Sequence, residues 1–469
     1  MTNIIFVRHN IYSIPMFVNR ENEKLRLTRA FAKEKPQLIV VYGRRRCGKS
    51  ALLREVLNSD SIMFTADLRE QPLQIYALSK LISSFIDGFD RVIYPDWETL
   101  FLSFNRTLQR RITLCLDEFP YLVKNSPELP SIIQKLMDER DRLNFHLVLC
   151  GSSQQMMEGI AINSNSPLYG RSDEILRIGP MTMSNLAAYL QLPAQEAVGE
   201  FGVWGGVPRY WEIRKQEASF EQAVLYHVLD QYGILHDEPE RLFADEMRTA
   251  VQAFSIVSLI AGGCNRLSEI AARLNKPATQ LSRILRFLTD LGYIRREIPF
   301  GETSKSTKRS LYKINDSFLN FYFSFVVPNT SLLGAGLKDM VWKEVRSRYR
   351  IYISQIWEEE CRKSLPFLDV NGERFMPGMR WWGHGTDGKP MEMDVVSQTL
   401  DRTTLLIGEV KWSQNPDIPE IERQLDKKIA QLPFIRNKKV IKVIFVMTKP
   451  PNPAGSALLF DADDICSTG

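Results

Sequence analysis

A chain of 469 residues, 44% of them hydrophobic, exceeds what one core ordinarily supports and is expected to divide into about three or four domains. Its 60 basic and 55 acidic residues leave a net charge of only +5, too mild to imply a nucleic-acid partner by itself, so only local charge can carry that inference. Six scattered cysteines without a C-x-x-C pair argue against a structural zinc site and suit free thiols in a reducing compartment.

Taken in chain order, the first twenty residues lack the basic, apolar and small-residue layout of a secretory signal, and no later run approaches the ~18 apolar residues of a membrane span. The expectation is a soluble, cytoplasmic protein without a membrane partner. Gln37 to Tyr42 is a continuous apolar run, as expected of a parallel strand buried on both faces. The segment Gly43-Arg44-Arg45-Arg46-Cys47-Gly48-Lys49-Ser50 follows, and then a helical pattern. It matches G-x-x-x-x-G-K-[ST] in the strand-loop-helix setting that the phosphate-binding loop requires. The two glycines let backbone N–H groups and the helix N-terminus face an anion. Lys49 is then expected on the β- and γ-phosphates of ATP and Ser50 on Mg²⁺. Cys47, inside the loop, is either a small neutral filler or a thiol that makes the site sensitive to modification.

Two further apolar strands are read at Ile112 to Leu116 and Phe145 to Cys150, separated by helical periodicity, which predicts an α/β doubly wound sheet. The first ends on Asp117 and Glu118. Adjacent acids at a strand end suit Asp117 for holding Mg²⁺ through water and Glu118 for activating the attacking water. After the second, Ser152 or Ser153 can serve as a polar sensor of the γ-phosphate or simply cap a helix. Arg171 is a candidate for the γ-phosphate charge, within the chain or across a subunit interface of a homo-oligomer; a solvated arginine reads the same way.

These residues resemble the archaeal and bacterial ATPases of the AAA+/STAND type, whose phosphate loop carries an arginine run like Gly43 to Arg46. The similarity extends to Phe17 to Glu23, where Asn19 replaces the usual glycine of a segment that packs on the adenine. It also takes in Asp117 to Leu122, Ser166 to Arg171 and Trp204 to Tyr210, so that most of residues 16 to 215 is covered. The resemblance implies an ATPase core over 1–182 and a helical lid over 183–247.

Residues 248–327 read as a winged helix-turn-helix: Leu267 to Leu274, a turn at Asn275 to Pro277, a helix from Thr279 to Leu291, then a basic stretch bounded by Ile294 and Leu311. From Gly262 to Lys313 there are eleven Lys/Arg against four acids. Arg283 and Arg286 share a helix face, and Lys305, Lys308 and Arg309 fall on the wing, a layout for DNA phosphates. A protein-binding module with a solvated basic face presents the same pattern.

In 328–469, Glu358 lies on a helix, Asp394 on the strand Met393 to Val396, and Glu409 and Lys411 at the end of the strand from Leu405. Alternation along a strand puts Glu409 and Lys411 on one face, beside Asp394. Carboxylates so placed can hold Mg²⁺ or Mn²⁺, and Lys411 can steer water or phosphate. With Arg380-Trp381-Trp382, this resembles the PD-(D/E)xK nuclease superfamily, with Met393 in place of the motif's proline. The expectation is an ATPase coupled to a DNA-binding and DNA-cleaving C-terminal domain. The alternative is a signalling or scaffold switch whose nuclease-like domain only binds DNA or protein.

Overall fold

The computed structural model describes residues 19–247, 249–303, 305, 307, 309–451 and 455–467. Phe17, Val18 and Lys308 of the readings above lie outside the described residues. The chain forms two compact units that divide between Pro180 and Met181.

In the first unit five strands, β1 (Leu38–Gly43), β2 (Ser61–Thr65), β3 (Ile112–Asp117), β4 (Phe145–Gly151) and β5 (Glu174–Ile178), form one sheet in the order β2-β3-β4-β1-β5. All pairs are parallel. Every residue of β1, β3 and β4 is buried, so these strands read as unbroken apolar runs without the alternation of a one-sided sheet. Parallel pairing forces a crossover between successive strands, and the helices that supply it carry the aromatic core of Trp97, Phe101 and Phe104, which packs on Phe145. The Trp97 indole N–H is not left orphaned in that core, because it donates to Ser126 Oγ at 2.9 Å. The strand order leaves β4 between the strand that enters the phosphate loop and the strand that ends on Asp117.

The second unit contains everything from Met181 onward that the sequence suggested as lid, helix-turn-helix and C-terminal domain. Helices Met183–Leu190, Ala194–Trp204 and Pro208–Arg214 pack around Glu200, whose carboxylate accepts from the Trp204 indole at 2.7 Å and from the Arg214 guanidinium. The 27-residue helix Lys338–Ser364 spans about 40 Å and is tied to this group by Tyr349 and Tyr352, which donate to the carbonyls of Gly199 and Gly202, both at 2.6 Å. At Gly202 a Cβ would lie 2.3 Å from Ile353 Cδ1, so any side chain there would have to push that methyl aside.

Helices Leu267–Leu274 and Ala278–Asp290 are joined through Asn275 in the left-handed conformation and are followed by an antiparallel pair, β6 (Ile294–Glu297) and β7 (Leu311–Ile314). The last sheet has β8 (Met379–His384), β9 (Pro390–Gln398), β10 (Thr404–Lys411), β11 (Lys439–Val446) and β12 (Leu458–Phe460) in sequential order. Its first three strands are antiparallel and its last three parallel, with helix Ile418–Ala430 crossing between β10 and β11.

Candidate functional site

The loop from Gly43 to Ser50 leaves the carboxyl end of β1 and enters helix Lys49–Val56. Gly43 adopts φ 141° with Ile178 O only 2.1 Å from where a Cβ would stand, so no other residue fits without moving β5. Gly48 caps the helix at φ 87°, and Arg46 is also left-handed at φ 66°. Arg44 and Cys47 are buried, whereas Arg45, Arg46 and Ser50 are half-buried. The Lys49 ammonium, 6% exposed, donates to the carbonyls of Gly43 and Arg44 at 2.9 Å each. It is thereby held inside the curl of the loop, where a phosphate group would meet it.

Asp117 ends β3, buried, and Glu118 follows in the left-handed conformation at φ 54°. Asp117 Oδ1 accepts from the Glu118 N–H at 3.0 Å, and among the described residues no cation pairs with it. A buried carboxylate without a counter-charge is costly unless an ion supplies one, so the donor set of Asp117 and Ser50 fits a divalent cation. Glu118 accepts from Ser152 Oγ through both oxygens, at 2.8 and 3.1 Å. Ser153 instead occupies the N-cap of helix Gln154–Ala161. Of the two serines, Ser152 reaches the acidic pair.

Two residues about the loop take positions that spacing did not convey. Arg20 reaches over from the start of helix Glu21–Phe31 and donates to Cys47 O at 3.2 Å and to Gly179 O at 2.5 Å, so it staples the loop to the end of the unit. Asn19 and Arg20 are both left-handed, at φ 62° and 76°, a region that Asn tolerates better than most other side chains. Arg171 is placed elsewhere. Its guanidinium forms a two-point pair with Asp138 at 2.8 and 3.1 Å, and its carbonyl accepts from Arg140, which in turn holds Asp173 beside the first residue of β1. That is the amino edge of the sheet, about 17 Å along β1 from the phosphate loop, so the expected within-chain role at the γ-phosphate is not met.

In the second unit β9 and β10 pair antiparallel through Gly408 opposite Val395, and just beyond that pair the Val410 N–H donates to Asp394 Oδ2 at 3.0 Å. Glu409 accepts from Lys411 at 2.9 Å and from Lys428 of helix Ile418–Ala430 at 2.5 Å. Lys411 also stands 3.9 Å from Asp394, and Glu358 pairs with Arg362 at 3.6 Å. Burial, then the charges of Glu409 and Glu358, push Asp394 up to about 7. Burial acts on Glu409 in the same sense, but Lys411 and Lys428 outweigh it and hold that carboxyl below its usual range.

The expected metal ligands are brought together only in part: Asp394 and Glu409 stand at the β9–β10 pair beside Lys411, while Glu358 pairs with Arg362. Among the described residues no three carboxylate, histidine or cysteine side chains form a group that could hold a metal, and burial raises Glu358 as it raises Asp394, so Lys411, Lys428 and Arg362 do not cancel the three acids. Lys428 was not legible in the sequence as a member, because a lysine in the last turn of an amphipathic helix is ordinarily a solvated charge favoured by the helix dipole.

The expected wing also departs from a free phosphate-binding surface. Arg295 of β6 pairs with Glu297 at 2.8 Å and with Glu359 at 3.1 Å. Arg380 of β8 pairs with Glu297 at 3.4 Å, and the Phe300 N–H donates to Arg380 O at 2.9 Å while its ring packs on Phe434. Arg309 donates to Trp382 O at 2.9 Å and pairs with Glu302. Of the basic residues of this hairpin, Arg295 is thus engaged by Glu297 and Glu359 and Arg309 by the β8 edge. By contrast, Arg283 and Arg286 of helix Ala278–Asp290 are exposed, and neither makes an ion pair among the described residues.

A buried parallel sheet with this strand order, a G-x-x-x-x-G-K-S loop at the end of β1 and an acidic pair at the end of β3 define a P-loop ATPase domain of the AAA+ type. Residues 17–210 match the family of ATPase domains found predominantly in Archaea and belong to it; residues 322–428 match a family of archaeal and bacterial proteins of unknown function. The chain is 28% identical over 457 residues to an uncharacterised protein of Methanocaldococcus jannaschii, covering 96% of this chain and that protein's full length. An uncharacterised ATP-binding protein of the same organism is 44% identical over 52 residues, 11% of this chain and 88% of that protein. Among solved structures the Walker-type ATPase of Pyrococcus abyssi is similar in fold, with a TM-score of 0.51 and 21% identity over 65% of this chain and 95% of that one. No helix among the described residues is long and apolar enough to cross a membrane.

Proposed function

We propose that this protein binds and hydrolyses ATP with Mg²⁺ at the Gly43–Ser50 loop and uses the nucleotide state to control a DNA-binding C-terminal half. The observation that carries the first part is the buried Asp117 at the end of β3, which forms no ion pair among the described residues, beside a Glu118 already oriented by Ser152. Backbone N–H groups of the loop and Lys49 bind the phosphates, and Ser50 with Asp117 would hold Mg²⁺, which neutralises phosphate charge when bound. Glu118 orients the attacking water and accepts its proton, with Ser152 fixing the carboxylate. The experiment is a nucleotide titration alongside a phosphate-release assay. Lys49→Ala should lose ATP binding, and Glu118→Gln should bind normally but hydrolyse slowly. Unchanged affinity in the Lys49 variant removes the assignment.

For the C-terminal half, the exposed arginines Arg283 and Arg286 support DNA contact through helix Ala278–Asp290, in the manner of a winged helix. The sheet β8 to β12 with Asp394, Glu409 and Lys411 supports a nuclease-like domain. Glu409 is held by Lys411 and Lys428 and Glu358 by Arg362, and this engagement of the acids by cations favours binding over metal-dependent cleavage.

A further inference from the structure

At the amino ends of β2, β3 and β4, on the edge of the sheet remote from the phosphate loop, a cleft of about 440 Å³ opens. Its polar lining includes Lys33, Asn58, Asp60, Ser61, Arg111 and His146, and Phe31 and Val56 give it an apolar wall. Three donor side chains of the lining, Arg111, Lys33 and His146, are short of an acceptor among the described residues. Arg111 Nε is buried without a hydrogen-bond partner, and neither Arg111 nor Lys33 forms an ion pair among the described residues. The carboxylate in the lining, Asp60, is engaged by Arg110 at 2.6 Å. His146 Nδ1 accepts from the Gln37 N–H at 3.1 Å, so the neutral ring carries its proton on Nε2, which has no acceptor among the described residues. Burial first, then the nearby Arg111, keep that ring neutral, with a pKa of about 4; Asp173 opposes them but is itself held by Arg140.

We propose that this cleft is a binding site for a small phosphate-bearing anion, seated on the Arg111 guanidinium, the Lys33 ammonium and the His146 Nε2–H. An oxyanion satisfies all three donors at once, and each charge-assisted bond is stronger than a neutral one. The apolar wall leaves room for an organic portion, so the source is either free phosphate or the phosphate end of a metabolite. Two helices connect this cleft with the nucleotide loop. Helix Glu21–Phe31 starts at Arg20, on Cys47 O, and ends at the cleft; helix Lys49–Val56 starts at the loop lysine and ends at the cleft wall. If the ATP reading holds, the anion and the nucleotide are therefore linked, each altering the affinity of the other by the same factor.

The test uses the full chain with ¹⁵N-labelled histidine rings. There are five histidines in all, so the spectrum is simple, and His146→Gln assigns the signal. With the phosphate loop filled by Mg²⁺ and ADP and ionic strength held constant, inorganic phosphate and, separately, phenyl phosphate are titrated. The His146 Nε2–H signal should move saturably and the ring should become more basic, because an anion favours the imidazolium. Arg111→Gln should weaken the response about tenfold, and the exposed Lys33→Gln, which leaves the core untouched, by a smaller factor. Tighter binding of phenyl phosphate assigns the metabolite source, and tighter binding of inorganic phosphate the free ion. A His146 signal that ignores both anions, or saturates identically in both variants, overturns the site. ADP affinity measured with and without saturating phosphate then reads the linkage separately. An unchanged value removes the regulatory role, while the His146 titration decides the site and Lys49→Ala decides the ATP reading.

Discussion

Ser152 touches Glu118 with both oxygens in range, which makes it a positioning residue for the acid proposed to orient the attacking water. Ser152→Ala should lower kcat for ATP hydrolysis by about tenfold to a hundredfold, since correct orientation of a general base is worth factors of that order. Nucleotide affinity should stay within twofold in a fluorescent-ADP titration; a parallel loss of binding would show that Ser152 supports the loop itself. His146 makes a second prediction at the same scale. Its pKa in the folded protein is lowered from 6.5 to about 4, so the unfolded chain binds the proton more readily. The stabilisation is complete above about pH 6.5 and is lost as the pH falls through that value toward 4, at most by about 3 kcal/mol. Hydrogen exchange of β1 and β4, measured without phosphate at pH 7.5 and pH 5, should show this loss, and His146→Gln should flatten it.

The hairpin of β6 and β7 behaves as a latch on the edge of β8. Edge strands carry unpaired N–H and C=O groups that a protein must cover, and here the Phe300–Arg380 backbone bond and the Arg309–Trp382 bond cover part of the β8 edge. Glu297 is the joint, half-buried between Arg295 and Arg380. Glu297→Gln leaves both guanidiniums short of a partner in partly desolvated surroundings and should cost about 2 to 4 kcal/mol. Amides of residues 294–297 and 311–314 should lose protection while those of helix Ala278–Asp290 keep theirs; uniform loss across both would show a general unfolding. Acid should act in the same direction. Burial raises Glu297 and Glu359, but the surrounding cations outweigh it, with Arg295 foremost for both, and Glu359 falls to about 2. Such groups stabilise above the unfolded carboxyl range and lose that contribution as the pH falls through about 4.5 toward 2.

For the whole molecule the consequence is that the proposed DNA contact rests on the exposed arginines of one helix, with Arg295 and Arg309 of the hairpin engaged elsewhere. Reversing Arg283 and Arg286 together should weaken DNA binding and reduce the slope of log affinity against log salt by about two counterions at most. The full chain with ATP and Mg²⁺ or Mn²⁺ should leave single-stranded, duplex and branched DNA intact. An unchanged salt slope points to a protein-binding face, and cutting that disappears in Glu409→Gln would reinstate a catalytic C-terminal domain.

Residues that act through neighbours in the chain were legible from the start. The run into Gly43, the Lys49–Ser50 pair and the acids after Leu116 are local, because a buried parallel strand demands apolar residues throughout and a phosphate loop demands glycines at set spacing. The segment about Glu358 read as helical for the same reason, although the helix's start at Lys338 did not show, since a helix packed on several sides lacks one clean apolar stripe. The short or mixed strands β2, β5, β8, β11 and β12 were not recovered, because their pattern depends on which face each neighbour covers. Charge pairing lay outside the sequence altogether. Arg171, Arg295, Arg309 and Lys428 all read as available cations, and the fold gave each an acid or carbonyl partner: Asp138, Glu359, Trp382 and Glu409. Those partners lie 19 to 73 residues away along the chain, and a charge is free or engaged according to what packing brings within about 4 Å of it, which only the tertiary structure decides.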